Sequence, residues 1–399
     1  MTHEQEIHAG PAGQPLRAAE PVQSLKFEHD NAFQRELRRR VEEHFRTTGQ
    51  RQRDCWQMYV KTAVLLAGFA GSYALLVFGA QTWWQGVLLA MLLGLAAAGI
   101  GFNIQHDGGH QAYSSHPWVN KLMAMTLELI GGSSYLWHWK HVVLHHTYVN
   151  ITGHDTDVDL GLLGRLTPHQ TRRSYHRWQH LYLWPLYGLL AIKWQLVDDF
   201  RKLISGRISN QPFPRPNGWE LVTFVAGKAI FLSLAFGIPL LFHAVGVVLF
   251  YYVVAGLVAG MALSVVFQVA HCVEEAEFPL PPTNTGRIDQ AWAIHQAGTT
   301  VDFARRSRVV AWLVGGLNFQ IEHHLFPRIS HVHYPAISKL VEQTCQDFGI
   351  RYTEFNSFRA GMASHFRWLR RMGRPDATGC HDLHIGNCSL RRTCWPQRK

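Results

Sequence analysis

The residue type that stands out for its chemistry is histidine. The chain has 25 among 399 residues, and eight of them form a pattern. His106 and His110 lie in 105–110 (QHDGGH), His141, His145 and His146 in 141–146 (HVVLHH), and His323 and His324 in 320–324 (QIEHH), while His271 stands apart. Side chains four residues apart share one face of a helix, with Cβ atoms roughly 5–6 Å apart. His106 with His110, and His141 with His145, can therefore each reach a single ion. His146 and His324 directly follow another histidine, and on a helix such neighbours point about 100° apart. They suit two ions lying side by side better than one. Imidazole binds iron, zinc, copper and nickel, and it binds them as the neutral ring. A ligating ring usually donates its second N–H to a carboxylate or carbonyl, which makes Asp107, Asp155, Asp157, Asp159 and Glu322 candidate partners. The expected chemistry is that of a two-metal centre, read as two irons; the bland alternative is a histidine-rich surface holding no ion.

Groups so far apart in sequence need other elements to bring them together. From Thr62 to His106, and again from Ala229 to Val273, there is no Asp, Glu, Lys or Arg. A spanning helix needs about 20 apolar residues, so each stretch fits two spans. The first turn is expected at 81–86 (QTWWQG), with tryptophans at the interface, and the second near 243–246. Arginines ahead of the first span place the N-terminus in the cytoplasm. Each hairpin then returns the chain to that side, one delivering His106 and His110, the other His271. The expected fold is an all-α integral membrane protein, with four transmembrane helices in two hairpins and a cytosolic histidine-rich helical cap. Its segments are a cytosolic N-terminus (1–56), hairpin one (57–105), a cytosolic or interfacial stretch carrying the first two histidine groups (106–219), hairpin two (220–270), the cap with the third group (271–366) and a basic, poorly ordered tail (367–399). Residues 119–137 and 181–191 read as interfacial helices, and Lys228 as a side chain reaching to the headgroups.

Composition agrees. Charged residues make up 17% of the chain, and the mean hydropathy is −0.07 because apolar spans and polar segments cancel. The net charge of +10 suits a basic face against anionic lipid; no basic helix or aromatic ladder supports nucleic acid binding. Six cysteines without a CxxC pair indicate a reducing compartment and no disulfide framework. The first residues, MTHEQEIHAG, are not a secretory signal.

The three groups resemble the histidine boxes of the membrane fatty acid desaturases: HxxxH, HxxxHH or HxxHH, and (H/Q)xxHH. Gln320 at the head of the third box, WHWKHVVLHHTYVN and HLFPRISHVHYP resemble the front-end, acyl-lipid (linoleoyl-CoA-type) branch. The resemblance covers about residues 55–355. It implies a di-iron centre ligated mainly by histidine: His106, His110, His141, His145, His146, His323 and His324, with His271 matching by position the family's extra histidine after the last span. His295, in AIHQAGTT, matches another recurrent position and is a secondary ligand candidate, as is Gln320. The haem motif HPGG of a fused cytochrome b5 is absent; His116-Pro117-Trp118 is not one. Electrons are then expected from a separate ferredoxin or cytochrome b5, itself reduced by an NAD(P)H-dependent enzyme.

The expected reaction is O2-dependent insertion of a cis double bond into the acyl chain of a lipid or acyl-CoA, at a bacterial inner membrane or the endoplasmic reticulum. No side-chain acid or base removes a proton from an unactivated methylene, so the chemistry belongs to the metal. An apolar tunnel lined by residues such as Trp137, Trp139 and Phe319 would hold the chain. The rival readings are a di-iron hydroxylase of an alkane, sterol or sphingoid chain, a zinc-dependent intramembrane hydrolase, and a metal carrier without activity. Cys380, His381, His384, Cys388 and Cys394 near the end match no zinc spacing.

Overall fold

The computed structural model describes residues 25–28, 31–208, 211–280 and 286–375. Helix α1 (Ala32–Thr48) starts at Asn31, whose Oδ1 accepts the Gln34 N–H at 3.0 Å, and ends at Gly49 in the left-handed region. Then follow α2 (Trp56–Gly79), α3 (Trp83–Gly109), α4 (Gln179–Lys193), α5 (Gly218–Leu240) and α6 (Val245–His271). Among the described residues, α2, α3, α5 and α6 are the four helices long and apolar enough to cross a membrane. Leu88, Leu92, Val225 and Leu249 lie on outer faces of these helices and are exposed, an apolar surface of the kind that lipid covers. The first turn, Ala80–Thr82, falls earlier than expected, because Gln85 Oε1 accepts the backbone N–H groups of Gln81 and Thr82 and starts α3 at Trp83.

Helix α2 packs on α3, α3 on α6, and α6 on α4. The two inter-helix turns lie together: His243 Nε2 donates to the Val77 carbonyl at 2.7 Å, and the Phe78 and Phe242 rings meet edge-on at 5.1 Å. At the opposite ends, α3 and α6 carry His106 and His271. Helix α4 continues through a π-helical turn (Trp194–Asp198) to Ser205, so it is longer than the apolar run 181–191 suggested. It lies along α6 because Gly256 and Gly260 form a groove. A Cβ on Gly260 would sit 2.1 Å from the Gly188 carbonyl oxygen, the close backbone approach that small residues four apart permit.

Lys228 does not reach outward. Its ammonium is buried in α5, 2.9 Å from Asp199 Oδ2, and donates to the carbonyls of Gly131 (2.7 Å) and Gln195 (3.1 Å). A charge inside an apolar helix is tolerated when it is paired in this way. The stretch 119–137 is three short helices, Pro117–Ala124, Thr126–Leu129 and Ser134–Trp137. The break at Gly131 (φ 91°) is held by Glu128, whose Oε1 accepts from the Ser134 N–H and hydroxyl.

The remaining helices, α7 (Trp292–Thr299), α8 (Arg308–Leu313), α9 (Gln320–Leu325), α10 (Tyr334–Asp347) and α11 (Phe358–Met372), gather over the histidine ends of α3 and α6. Phe33 and Leu37 of α1 join Ala297, Ile321, Leu325 and Val341 in one core. Residues 367–372, expected in a loose tail, are the end of α11, because Trp368, Leu369 and Met372 bury one face of it. The Cys/His group from Cys380 to Cys394 lies outside the described residues. Cys55, Cys272 and Cys345 are free thiols.

Candidate metal centre

Two departures from α-helical geometry shape the site. Helix α3 turns π-helical at Gly101–Gln105, just ahead of His106, and His138–His145 is π-helical throughout. In a π-helix the bonding runs i to i+5, so residues four and five further on bracket one direction. His145 and His146 consequently both face His141, with ring centroids 5.1 and 4.9 Å away. The two rings still diverge, with planes 86° apart, and His145 joins His271 and His324 while His146 joins His323 and His324. In the first box, the His106 and His110 rings lie 4.7 Å apart.

The four segments meet. His106, His110, His141 and His323 each present a nitrogen within 4.8 Å of the others; so do His145, His271 and His324, and so do His146, His323 and His324. The outcome is two adjoining ring groups, with His146 and His323 between them, and all eight residues are buried. Nε2 of His106 faces Nε2 of His141 at 3.3 Å, and Nε2 of His146 faces that of His323 at 3.0 Å. Two nitrogens held by one ion at bonds of ~2.1 Å, at octahedral or tetrahedral angles, stand about 3.0–3.4 Å apart. Among the described residues, Nε2 of His110 and of His145 have no hydrogen-bond partner. Converging, orphaned ring nitrogens in a buried, mainly imidazole set, with a carboxylate oxygen of Asp157 within 4.8 Å of His141 and His145, fit a pair of transition-metal ions. The Gln320 amide lies between His271 and His324, with Nε2 2.9 and 3.2 Å from their Nε2 atoms. His295 joins none of these groups; its ring packs on Phe27, centroids 5.0 Å apart.

Three outward nitrogens are held as metal-binding imidazoles usually are. Asp155 accepts from His145 Nδ1 at 3.0 Å, Gln296 Oε1 accepts from His324 Nδ1 at 2.8 Å, and the Tyr334 hydroxyl lies 3.3 Å from His323 Nδ1. Of the five expected carboxylates, only Asp155 makes such a contact. Asp157 is 3.7 Å from His145 and pairs with Lys140, Asp107 turns to His331 (2.9 Å), Asp159 accepts the Gly161 N–H, and Glu322 meets the Tyr352 hydroxyl. Gln296 and Tyr334 escaped the sequence reading because neither type nor spacing marks them.

Burial, reinforced by neighbouring rings, holds His110, His141, His146, His323 and His324 well below the ordinary histidine range. Burial lowers His145 too, but the adjacent Asp155 outweighs it and raises that ring. Trp137 stacks on His141 at 4.6 Å and touches His106 and His110 edge-on. Trp139 and Phe319, the other expected lining residues, belong to separate apolar clusters.

Residues 81–356 match the fatty acid desaturase family. The chain is 39% identical to the sn-1 linoleoyl-lipid 6-desaturase of Arthrospira platensis, over 90% of this chain and 98% of that one. It is 36% identical to the sn-1 linoleoyl-lipid 6-desaturase of Synechocystis sp., covering 88% and 99%. An acyl-lipid (8-3)-desaturase of Physcomitrium patens is 36% identical over 84% of this chain and 71% of its own length.

Proposed function

The chain belongs to the fatty acid desaturase family, and on that premise we propose that its eight clustered histidines hold two iron ions at the cytoplasmic face of a membrane, where a linoleoyl chain carried on a lipid gains a double bond at carbon 6. The activity itself, O2-dependent desaturation of a fatty acyl chain, follows from membership and sets aside the hydroxylase, hydrolase and carrier readings. The position and the lipid carrier are taken from the names of the two relatives matched over nearly their whole length. The observation that carries the metal assignment is the convergence of the ring nitrogens in two adjoining groups. Four spans in two hairpins, with the histidine-bearing ends of α3 and α6 and the helices over them in the cytoplasm, agree with the shared location of the two turns.

Iron bound there supplies the one-electron and oxygen chemistry that side chains lack. The chain's own residues do the rest. His106, His110, His141 and His323 supply donors on one side and His145, His271 and His324 on the other, with His146 between. Asp155, Gln296 and Tyr334 fix which nitrogen of His145, His324 and His323 faces inward. Gln320 offers an amide where an imidazole would otherwise stand, and His295 is left without a ligand role.

The acyl chain needs a dry path. An apolar cavity lies among α2, α3, α5 and α6, lined by Phe69, Leu93, Ala97, Phe231, Ala255 and Ala259 among others. Its polar groups are occupied by the protein: the Tyr73 hydroxyl donates to the Leu234 carbonyl, and that of Tyr252 to Gln195. Ala97 lies nine residues before His106, roughly 14 Å along the helix. We assign this cavity to the methyl end of the chain. Electrons come from a ferredoxin or a cytochrome b5.

Expression in a host of defined lipids tests the reading. A new double bond at carbon 6 of lipid-bound linoleate, located by mass spectrometry, and iron in the purified protein are expected. A product that gains oxygen, or active protein free of iron, overturns it.

A further inference from the structure

We propose that a pocket between α8 and α11 binds the phosphate group of a membrane phospholipid. The proposal rests on the membrane topology just given but not on the reaction. The pocket, of about 420 Å³, is lined by Ala304, Arg306, Ser307, Val310, Asn356, Ser357, Phe358 and Arg359. A single water needs only about 10–15 Å³ by the same measure, so a phosphate group fits with room to spare.

The depth of the pocket is the first argument. Val265 and Val266 lie twenty residues into α6, about 30 Å along it at 1.5 Å per residue, which is the thickness of the hydrocarbon layer. They pack with Phe102, Phe303 and Ala304 in one cluster, so Ala304, in the pocket wall, sits where α6 leaves the apolar layer. Next to it, α8 exposes Val309, Trp312 and Leu313, an apolar edge with a tryptophan of the kind found at a membrane interface.

Chemistry is the second. Arg306 and Arg359 are exposed, and among the described residues neither is in an ion pair. The carboxylates close by are engaged, since Arg305 binds both Glu342 and Glu354. Guanidinium groups match phosphate oxygens in a way that a point charge does not. The Ser307 and Ser357 hydroxyls accept the backbone N–H groups of Val310 and Ala360, at 3.2 Å each, which leaves each O–H proton able to donate into the pocket. Two cations and two hydroxyl donors at headgroup depth describe an anion site facing lipid. The wall of this site also supports the metal centre: Ala304 is two residues from Asp302, whose carboxylate accepts the Ile321 N–H at the start of α9 at 3.0 Å.

Native mass spectrometry of the purified full-length protein in detergent tests this, with phosphatidylglycerol and with a galactosyl diacylglycerol that lacks phosphate. Wild type should retain phosphatidylglycerol and release the galactolipid. Arg306→Glu/Arg359→Glu and the milder Arg306→Gln/Arg359→Gln should each lower retention about tenfold or more, as expected when two charge-assisted contacts are lost. Arg173→Glu/Arg177→Glu, at another exposed arginine pair, should leave it unchanged. Equal retention of the two lipids by wild type overturns the proposal whether or not the variants fold. So does wild-type retention in the Gln variant, and so does displacement of the lipid by inorganic phosphate at equal concentration, which would mark a site for soluble phosphate. Lipid retention is read without turnover, so its failure is distinct from a failure of the desaturase assignment.

Discussion

Replacing Asn150 by alanine should loosen the metal centre without touching a ligand. The Asn150 Nδ2 lies 3.1 Å from each of three carbonyl oxygens, those of His271, Glu277 and Thr299. Its backbone N–H donates to Asp155 Oδ2 at 3.0 Å, the same oxygen that accepts from His145 Nδ1. One fully buried side chain thus ties the segment after the second histidine box to the end of α6 and to α7. Losing these bonds costs about 1–3 kcal/mol for the buried acceptors left unpaired. Asn150 also has φ 58°, and an alanine held in that left-handed conformation adds roughly 1–2 kcal/mol. Asn150→Ala should therefore destabilise by about 2–5 kcal/mol. Asn150→Gly loses the same bonds but relieves the backbone, so it should fall between alanine and wild type. Misplacement of His271 and His145 should weaken iron binding about 10–100-fold, as other changes behind a ligand do. Denaturant unfolding of the detergent-solubilised variants, with iron measured in the same preparations, reads both effects. An alanine variant that unfolds with wild type and keeps its iron would refute the argument; a glycine variant less stable than alanine would refute its strain component.

Other perturbations separate the remaining parts of the structure. His145→Ala and His324→Ala should each abolish desaturation and lower bound iron while the protein still inserts, as product analysis and elemental analysis of membrane preparations can check. Asp155→Asn should keep a hydrogen bond to His145 but remove the charge that raises that ring, with iron affinity down about 10–100-fold in a chelator competition. Lys228→Met leaves Asp199 buried and unpaired, at a cost of about 3–5 kcal/mol, whereas Lys228→Met with Asp199→Leu should recover most of it; equal stability of the single and double variants in denaturant unfolding would contradict the pairing. Ala97→Phe narrows the apolar cavity and should shift the products toward shorter acyl chains with the double bond at an unchanged carbon; an unchanged chain-length profile would place the methyl end elsewhere.

The histidines of the candidate metal centre were legible as a cluster because each group carries its spacing on its face, and the membrane helices because long uncharged runs have few other homes. Partners were less legible. Lys228 reads as a charge at the edge of an apolar run, and only the fold reveals that Asp199 and the Gly131 carbonyl, 29 and 97 residues away, turn it inward. The run 181–191 is too short to span, so its packing along α6 rests on Gly188 and Gly260, two positions that carry no pattern until they meet. Residues 367–372 look like the start of a basic tail because arginines dominate, yet Trp368, Leu369 and Met372 at helical spacing bury one face.

The π-helical turns are the feature that periodicity could least reveal. Shifting the bonding by one residue from i+4 to i+5 leaves composition untouched, but it brings both His145 and His146 beside His141. Both stay beside His141, yet they lead to different groups: the ring nearest His145 is His271, at 4.8 Å, and the ring nearest His146 is His324, at 4.2 Å. The partners behind the rings follow a similar logic. A sequence reader looks for carboxylates because charge is conspicuous, but an all-buried site cannot hold many anions cheaply. Of the three outward contacts, two are to neutral groups, Gln296 and Tyr334, and only His145 has a carboxylate behind it. The two ring groups are therefore chemically unequal: the one containing His145 has a more basic donor than the one built on His106, His110 and His141, where among the described residues no anion is hydrogen-bonded to a ring. That asymmetry comes chiefly from one aspartate ten residues after His145, with Asp157 adding to it, and the turn that places Asp155 is the one in which Asn150 takes its left-handed conformation.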